Sequence, residues 1–267
     1  MVGYDGGADE ILSYGSVTED AVRDLVHGAI FTRGPRDLHN SAIFIGGTDM
    51  ASGERLLTKA TKAFFGPLRV SVMLDSNGSN TTASAAVVRL MRAAGGDVKG
   101  RRAVVTAGTG PVGLRAAGLL ARAGAHVVIT SRKAATPAMA EAITSRFGGT
   151  VEAVTMADAS GAAAVLEGAE IVLNAGPAGV CLIPKSAWAG RAGLTAIADV
   201  NAVPPAGIEG IDVMDDGVER DGAIAFGALG VGKLKMKVHK ACIARLFERN
   251  DQILDAETIF ELASSLT

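Results

Sequence analysis

Between residues 99 and 200 the chain alternates short apolar runs with longer stretches in which apolar positions recur every three or four residues. The runs at 103–107, 126–130, 151–155, 170–174 and 195–199 are rich in valine, isoleucine and alanine and read as strands. The stretches at 111–123 and 137–147 read as helices, with a shorter one at 162–167. Apolar strands alternating with helices imply a parallel sheet covered on both faces, because each crossover helix packs on the sheet it serves. The first hundred residues alternate as well, in the order helix 18–27, strand 42–45, helix 50–65, strand 70–74 and helix 81–94. Between the halves, Gly95-Gly96-Asp97-Val98-Lys99-Gly100 reads as a hinge. Farther on, 227–247 reads as a long helix, and Asp255 is placed to cap a final one ending near 266. The pattern predicts an α/β protein with one domain over 1–98, a second over 99–232, and C-terminal helices over 233–267 that return to the first. The expected site lies between the two domains.

Composition narrows the partners. A chain of 267 residues with a net charge of -2 gives no electrostatic reason to expect nucleic acid or an anionic membrane. No apolar run approaches the roughly 20 residues that span a bilayer. The opening Met1-Val2-Gly3-Tyr4-Asp5-Gly6-Gly7 lacks the basic and apolar regions of a secretion signal, so a cytoplasmic protein is expected. Two distant cysteines, Cys181 and Cys242, make neither a disulfide framework nor a zinc site, and no metal is expected.

Candidate chemistry starts at Gly108-Thr109-Gly110-Pro111-Val112-Gly113, a G-x-G-x-x-G run between a strand and a helix. In a dinucleotide-binding Rossmann unit the first glycine permits the tight turn, the second lets backbone reach the pyrophosphate, and the third lets helix and strand pack closely. Amides at the helix N-terminus then face the phosphates. The end of the next strand selects the dinucleotide. An acid there would hold the ribose hydroxyls of NAD. This chain has Ser131-Arg132-Lys133, a hydroxyl and two cations, which suit the 2′-phosphate of NADP. The competing reading is a solvated basic turn. NADP is expected, with NAD second. Asn174-Ala175-Gly176 ends a further strand and should border the same cofactor, since ligands collect at the carboxyl ends of such strands.

Three other features bear on a substrate. The loop Asp75-Ser76-Asn77-Gly78-Ser79-Asn80-Thr81 is dense in donors and acceptors at a strand-to-helix junction. It suits a heterocycle rimmed with amide and amino groups, and it equally suits helix capping. Lys235 lies just inside a helix that follows the glycine-rich 227–232, where a solvated face is the alternative. The histidines His27, His39, His126 and His239 show no metal spacing, and no His/Asp dyad is evident.

The segment 2–9, the loop 75–82, the fingerprint 107–113 and Phe226-Gly227-Ala228-Leu229-Gly230-Val231-Gly232 together resemble the bacterial NADP-dependent methylene-tetrahydromethanopterin dehydrogenases, along nearly the whole chain. The resemblance implies a pterin-binding domain, an NADP domain and a homo-oligomer. It implies reversible oxidation of methylene- to methenyl-tetrahydromethanopterin, with tetrahydrofolate accepted by some members. By the same resemblance, the Asp75 loop (Asp75, Ser76, Asn77, Asn80, Thr81) and the catalytic candidate Lys235 serve the pterin. It further implies that residues from Val2 belong to a first strand that begins ahead of Met1. Hydride loss from a carbon between two nitrogens leaves a cation delocalised over both, so no general base is needed and positioning is the task. The alternatives are a shikimate-dehydrogenase-like oxidoreductase and an NADP sensor without turnover.

Overall fold

Each strand that the apolar pattern predicts is present, at bounds within one residue of the expectation. The computed structural model describes residues 2–267. Its elements run α1 (Val2–Asp5), α2 (Val22–Phe31), β1 (Ala42–Ile45), α3 (Met50–Lys62), β2 (Ser71–Leu74) and α4 (Ser79–Ala93). Then come β3 (Arg102–Thr106), α5 (Pro111–Arg122), β4 (His126–Ser131), α6 (Pro137–Phe147), β5 (Thr150–Thr155), α7 (Ala162–Val165) and β6 (Ile171–Asn174). The chain ends with α8 (Lys185–Trp188), β7 (Ala196–Asp199), β8 (Asp216–Arg220), β9 (Ala223–Phe226), α9 (Ala228–Leu246), β10 (Ile253–Leu254) and α10 (Ala256–Ser265). No helix among the described residues is long and apolar enough to cross a membrane.

The chain divides into two units. The first takes in residues up to Thr81 together with Met236–Thr267, and the second is Thr82–Lys235. In the first, β1, β2 and β10 form a parallel sheet with β2 at the centre. Helix α2 starts four residues later than the pattern suggests, at Val22 instead of 18. The reason is packing. Val22, Val26 and Ile30 repeat at four-residue spacing and are buried with Leu38, Ala60 and Val70, while ahead of them the Ala21 amide closes a turn on the Thr18 carbonyl. The first residues depart from the expected strand. Val2–Asp5 forms a helical turn, in which Gly6 N donates to the Val2 carbonyl at 3.0 Å and Asp5 pairs with Lys240 at 3.0 Å. A strand needs a neighbour's ladder, and here the backbone closes its bonds locally.

The second unit is a seven-stranded sheet in the order β5-β4-β3-β6-β7-β9-β8, parallel except for β8. The first six strands in that list have the arrangement of a doubly wound dinucleotide fold, which reverses direction between β3 and β6. The β8–β9 hairpin was not visible in the hydrophobic pattern. It turns on Asp221-Gly222, both with left-handed φ (+47° and +90°), as a tight hairpin with the sheet's twist requires. Val104, Val128, Val172, Ile197 and Ala225 line one face of the sheet, covered by Leu166, Ile183 and Trp188.

Trp188 is the one tryptophan of the chain. It is fully buried, and its indole N–H donates to the Glu209 carbonyl at 2.9 Å. Trp188→Ala should cost about 3–5 kcal/mol by cavity formation. Urea unfolding followed by far-ultraviolet circular dichroism measures this, and an unchanged midpoint would contradict the packing described.

Candidate functional site

In the second unit the glycine fingerprint joins β3 to α5. The turn differs in one respect from its expected form. Its left-handed residue is Ala107, at φ +52°, and Thr130 holds that residue by accepting the Ala107 amide on its hydroxyl at 3.0 Å. Gly108 is needed for space, because a Cβ there would lie 2.5 Å from Ile129. Gly113 is also needed for space, with the Ala107 carbonyl 2.6 Å from where its Cβ would be. At Gly110 a Cβ would meet only the Ala107 carbonyl, at 3.4 Å, so the space over this glycine is open. Gly110 caps α5 with no side-chain bond, and Pro111 occupies the first turn, followed by Val112. An α-helix N-terminus left uncapped beneath open space fits a phosphate. Thr109 completes the loop and is exposed.

Ser131 ends β4 and is buried, while Arg132 and Lys133 are exposed. Neither cation forms an ion pair among the described residues. The Ser131 hydroxyl accepts the Lys133 amide at 3.2 Å, which leaves its own proton free to donate. The residues present therefore fit a 2′-phosphate.

Asn174 is buried where β6 ends. Its Oδ1 accepts the Thr106 hydroxyl at 2.6 Å and the Gly176 amide at 3.2 Å, and its Nδ2 donates to Asp199 at 2.8 Å. Ala175 and Gly176 are half-buried beside it. Sequence reasoning missed Asp199, which shares this junction from the end of β7. The glycines at 227 and 230 press on the backbone of residues 212–216 and serve packing there. Lys235 is half-buried and makes no ion pair among the described residues, whereas Lys233 is paired to Asp216 at 3.1 Å.

In the first unit the Asp75 loop is closed on itself. Asp75 Oδ1 accepts the amides of Asn80 and Thr81, each at 3.0 Å, and Oδ2 accepts the Thr81 hydroxyl at 2.7 Å. Asn80 donates to the Leu74 carbonyl at 2.6 Å and to Asp255 at 3.2 Å. The Ser76 hydroxyl donates to the Gly46 carbonyl at 2.9 Å. Asn77 alone of the expected residues is exposed, in a left-handed conformation at φ +56°. The capping reading therefore accounts for most of the loop. A His/Asp pair not evident from sequence also appears. His239 Nδ1 lies 3.7 Å from Asp75 Oδ2, and its ring stacks on Phe44 at 5.7 Å. Among the described residues no three His, Cys, Asp and Glu side chains are grouped to hold a metal.

One turn beyond His239, Cys242 is buried. Burial, with the charge of Asp75 second, pushes its thiol up to about 12. The attacking species in alkylation is the thiolate, so Cys242 stays unreactive at pH 8 in the folded protein. Cys181 is half-buried and should react with iodoacetamide first, with both modified alike in urea. Mass spectrometry of the native reaction decides, and early labelling of Cys242 would contradict its burial.

The chain is similar to several known proteins. The family model for the N-terminal part of methylene-tetrahydromethanopterin dehydrogenase matches residues 1–77. The bifunctional protein MdtA of Methylorubrum extorquens is 52% identical over 267 residues, taking in 100% of this chain and 93% of the relative. The NAD(P)-dependent methylenetetrahydromethanopterin dehydrogenase of the same organism is 33% identical, over 97% of this chain and 90% of its own. Among solved structures, shikimate 5-dehydrogenase from Listeria monocytogenes is 18% identical at a TM-score of 0.44, covering 68% of this chain and 62% of that one. That likeness is too distant to bear on chemistry. The chain belongs to the methylene-tetrahydromethanopterin dehydrogenase family and is an oxidoreductase.

Proposed function

We propose that the protein oxidises methylene-tetrahydromethanopterin reversibly to the methenyl form with NADP, and that methylene-tetrahydrofolate is a second substrate. Family membership supplies the reaction. The observation in this chain that carries it is the uncapped start of α5, with open space over Gly110, in the same sheet edge as two unpaired cations, Arg132 and Lys133. NADP, when bound, supplies the hydride acceptor. Gly108, Thr109, Gly110, Pro111, Val112 and Gly113 cradle its pyrophosphate, Ser131, Arg132 and Lys133 hold its 2′-phosphate, and Asn174, Ala175 and Gly176 border its nicotinamide half. NAD is the weaker alternative.

On this reading the first unit binds the pterin, in keeping with the family model on residues 1–77. The loop with Asp75, Ser76, Asn77, Asn80 and Thr81 gives that site its rigidity, and Asn77 offers the exposed amide. Lys235 orients the pterin. No proton leaves the reacting carbon, so the work of these side chains is to hold the substrate and exclude water. By the same reading the enzyme acts as a homo-oligomer in the cytoplasm.

The test is to mix protein, NADP and each methylene pterin and follow the near-ultraviolet absorbance of NADPH and the methenyl product. Reduction is expected with the methanopterin substrate, unaffected by a chelator. Lys235→Ala should lower turnover by on the order of a hundredfold, as for a lost positioning contact, with NADP affinity unchanged. Binding of NADP with neither pterin oxidised would defeat the proposal.

Cofactor choice is tested separately. Replacing Arg132 and Lys133 together by alanine removes charge-assisted contacts to the phosphate. The Michaelis constant for NADP should rise about tenfold or more while that for NAD hardly moves. An unchanged ratio of the two would return these residues to a solvated turn.

A further inference from the structure

The segment that presents Arg132 and Lys133 leaves β4 at Ser131 and enters α6 at Pro137. It is pinned at two points, both by hydroxyls at the carboxyl ends of neighbouring strands. The Ser131 hydroxyl accepts the Lys133 amide at 3.2 Å, and the Thr155 hydroxyl accepts the Ala135 amide at 2.9 Å. Ser131 and Thr155 are direct partners in the β4–β5 register, and Met156 N donates to the Ser131 carbonyl at 2.9 Å just beyond them. Thr155 is exposed, so its side chain contributes to the loop and not to the core.

We propose that Thr155 is a positioning residue for cofactor choice: its hydroxyl fixes the backbone from which Arg132 and Lys133 emerge toward the 2′-phosphate. The proposal rests on the NADP reading above and extends it to a residue outside the phosphate-binding set. Ala135 precedes Thr136 and Pro137, and Thr136 is extended (φ -126°, ψ 149°), as a residue before proline is restricted to be. The Ala135 amide lies ahead of the helix and has one protein acceptor, the Thr155 oxygen. Without that oxygen the amide turns to water and the loop between Ser131 and Pro137 is held at one end only. A long cation on a loose loop gives up more freedom when it meets a phosphate than one on a fixed loop, and the phosphate is bound more weakly. NAD has no group at that position and is indifferent to the change.

Thr155→Val keeps the shape and the strand preference while removing the hydroxyl, and Thr155→Ser keeps the hydroxyl. Dissociation constants for NADP and NAD are measured by calorimetry on the whole protein. The valine variant should bind NADP about fivefold more weakly, from one lost hydrogen bond, with NAD within about twofold of wild type. The serine variant should recover the wild-type ratio. Added to the Arg132/Lys133 double alanine variant, Thr155→Val should change NADP binding no further, because the groups it positions are gone. If Thr155→Val leaves the NADP/NAD ratio intact while the double alanine variant lowers it, the role of Thr155 is refuted and the NADP reading stands. Weakening of both cofactors alike would likewise refute it, as a general effect on the unit. If the double alanine variant also leaves the ratio intact, the NADP reading itself fails.

Discussion

The side chain of Asn174 is buried where β3, β6 and β7 end together, and its amide satisfies its neighbours in one orientation only. The oxygen takes the Thr106 hydroxyl and the Gly176 amide, and the nitrogen donates to Asp199. Asp199 in turn accepts the amides of Asn201 and Ile208, each at 3.0 Å. A buried carboxylate is costly unless donors replace the water it loses, and here three do. The junction locks the 174–176 turn and the segment 201–208 to one another at the edge where a doubly wound sheet collects its ligand. Gly207 lies so close to Asn174 that no Cβ fits, so the segment's path depends on this amide. The Gly108 loop leaves β3 one residue beyond Thr106, with its first amide held by Thr130.

The first unit repeats the device with a different polarity. Asp75 accepts two amides and a hydroxyl from the first turn of α4, and His239 and Phe44 stack alongside. A polar loop rich in donors reads in sequence as a binding surface. Folded, most of its groups are consumed in shaping the backbone, and what faces outward is Asn77. Density of polar residues thus marks a demanding turn before it marks a ligand.

The parallel strands and the fingerprint were legible because both are local signals: continuous apolar runs, and glycines at fixed spacing between a strand and a helix. What escaped was either weakly patterned or remote. Strand β8 reads Asp216-Gly217-Val218-Glu219-Arg220 and shows no hydrophobic run, and only the turn pair Asp221-Gly222 could have announced it. His239 and Asp75 are far apart in sequence, and nothing local joins them. The partition of roles among the glycines was legible in outline only. The left-handed position of the turn falls on Ala107, which Thr130 stabilises, and Gly108 is a glycine for want of space beside Ile129.

The two candidate sites also differ in how their charges are left. At the end of β4 the cations Arg132 and Lys133 are unpaired and exposed, which suits a dianion that arrives with its own charge. At the Asp75 loop the carboxylate is enclosed and its oxygens are occupied by the turn that they hold. A base would need a free lone pair aimed at a substrate, whereas hydride loss from a carbon flanked by two nitrogens asks for none. The half-buried His239 beside the buried Asp75 joins α9 to the start of α4, and on the proposed reading that contact is structural, with the reacting carbon placed by shape.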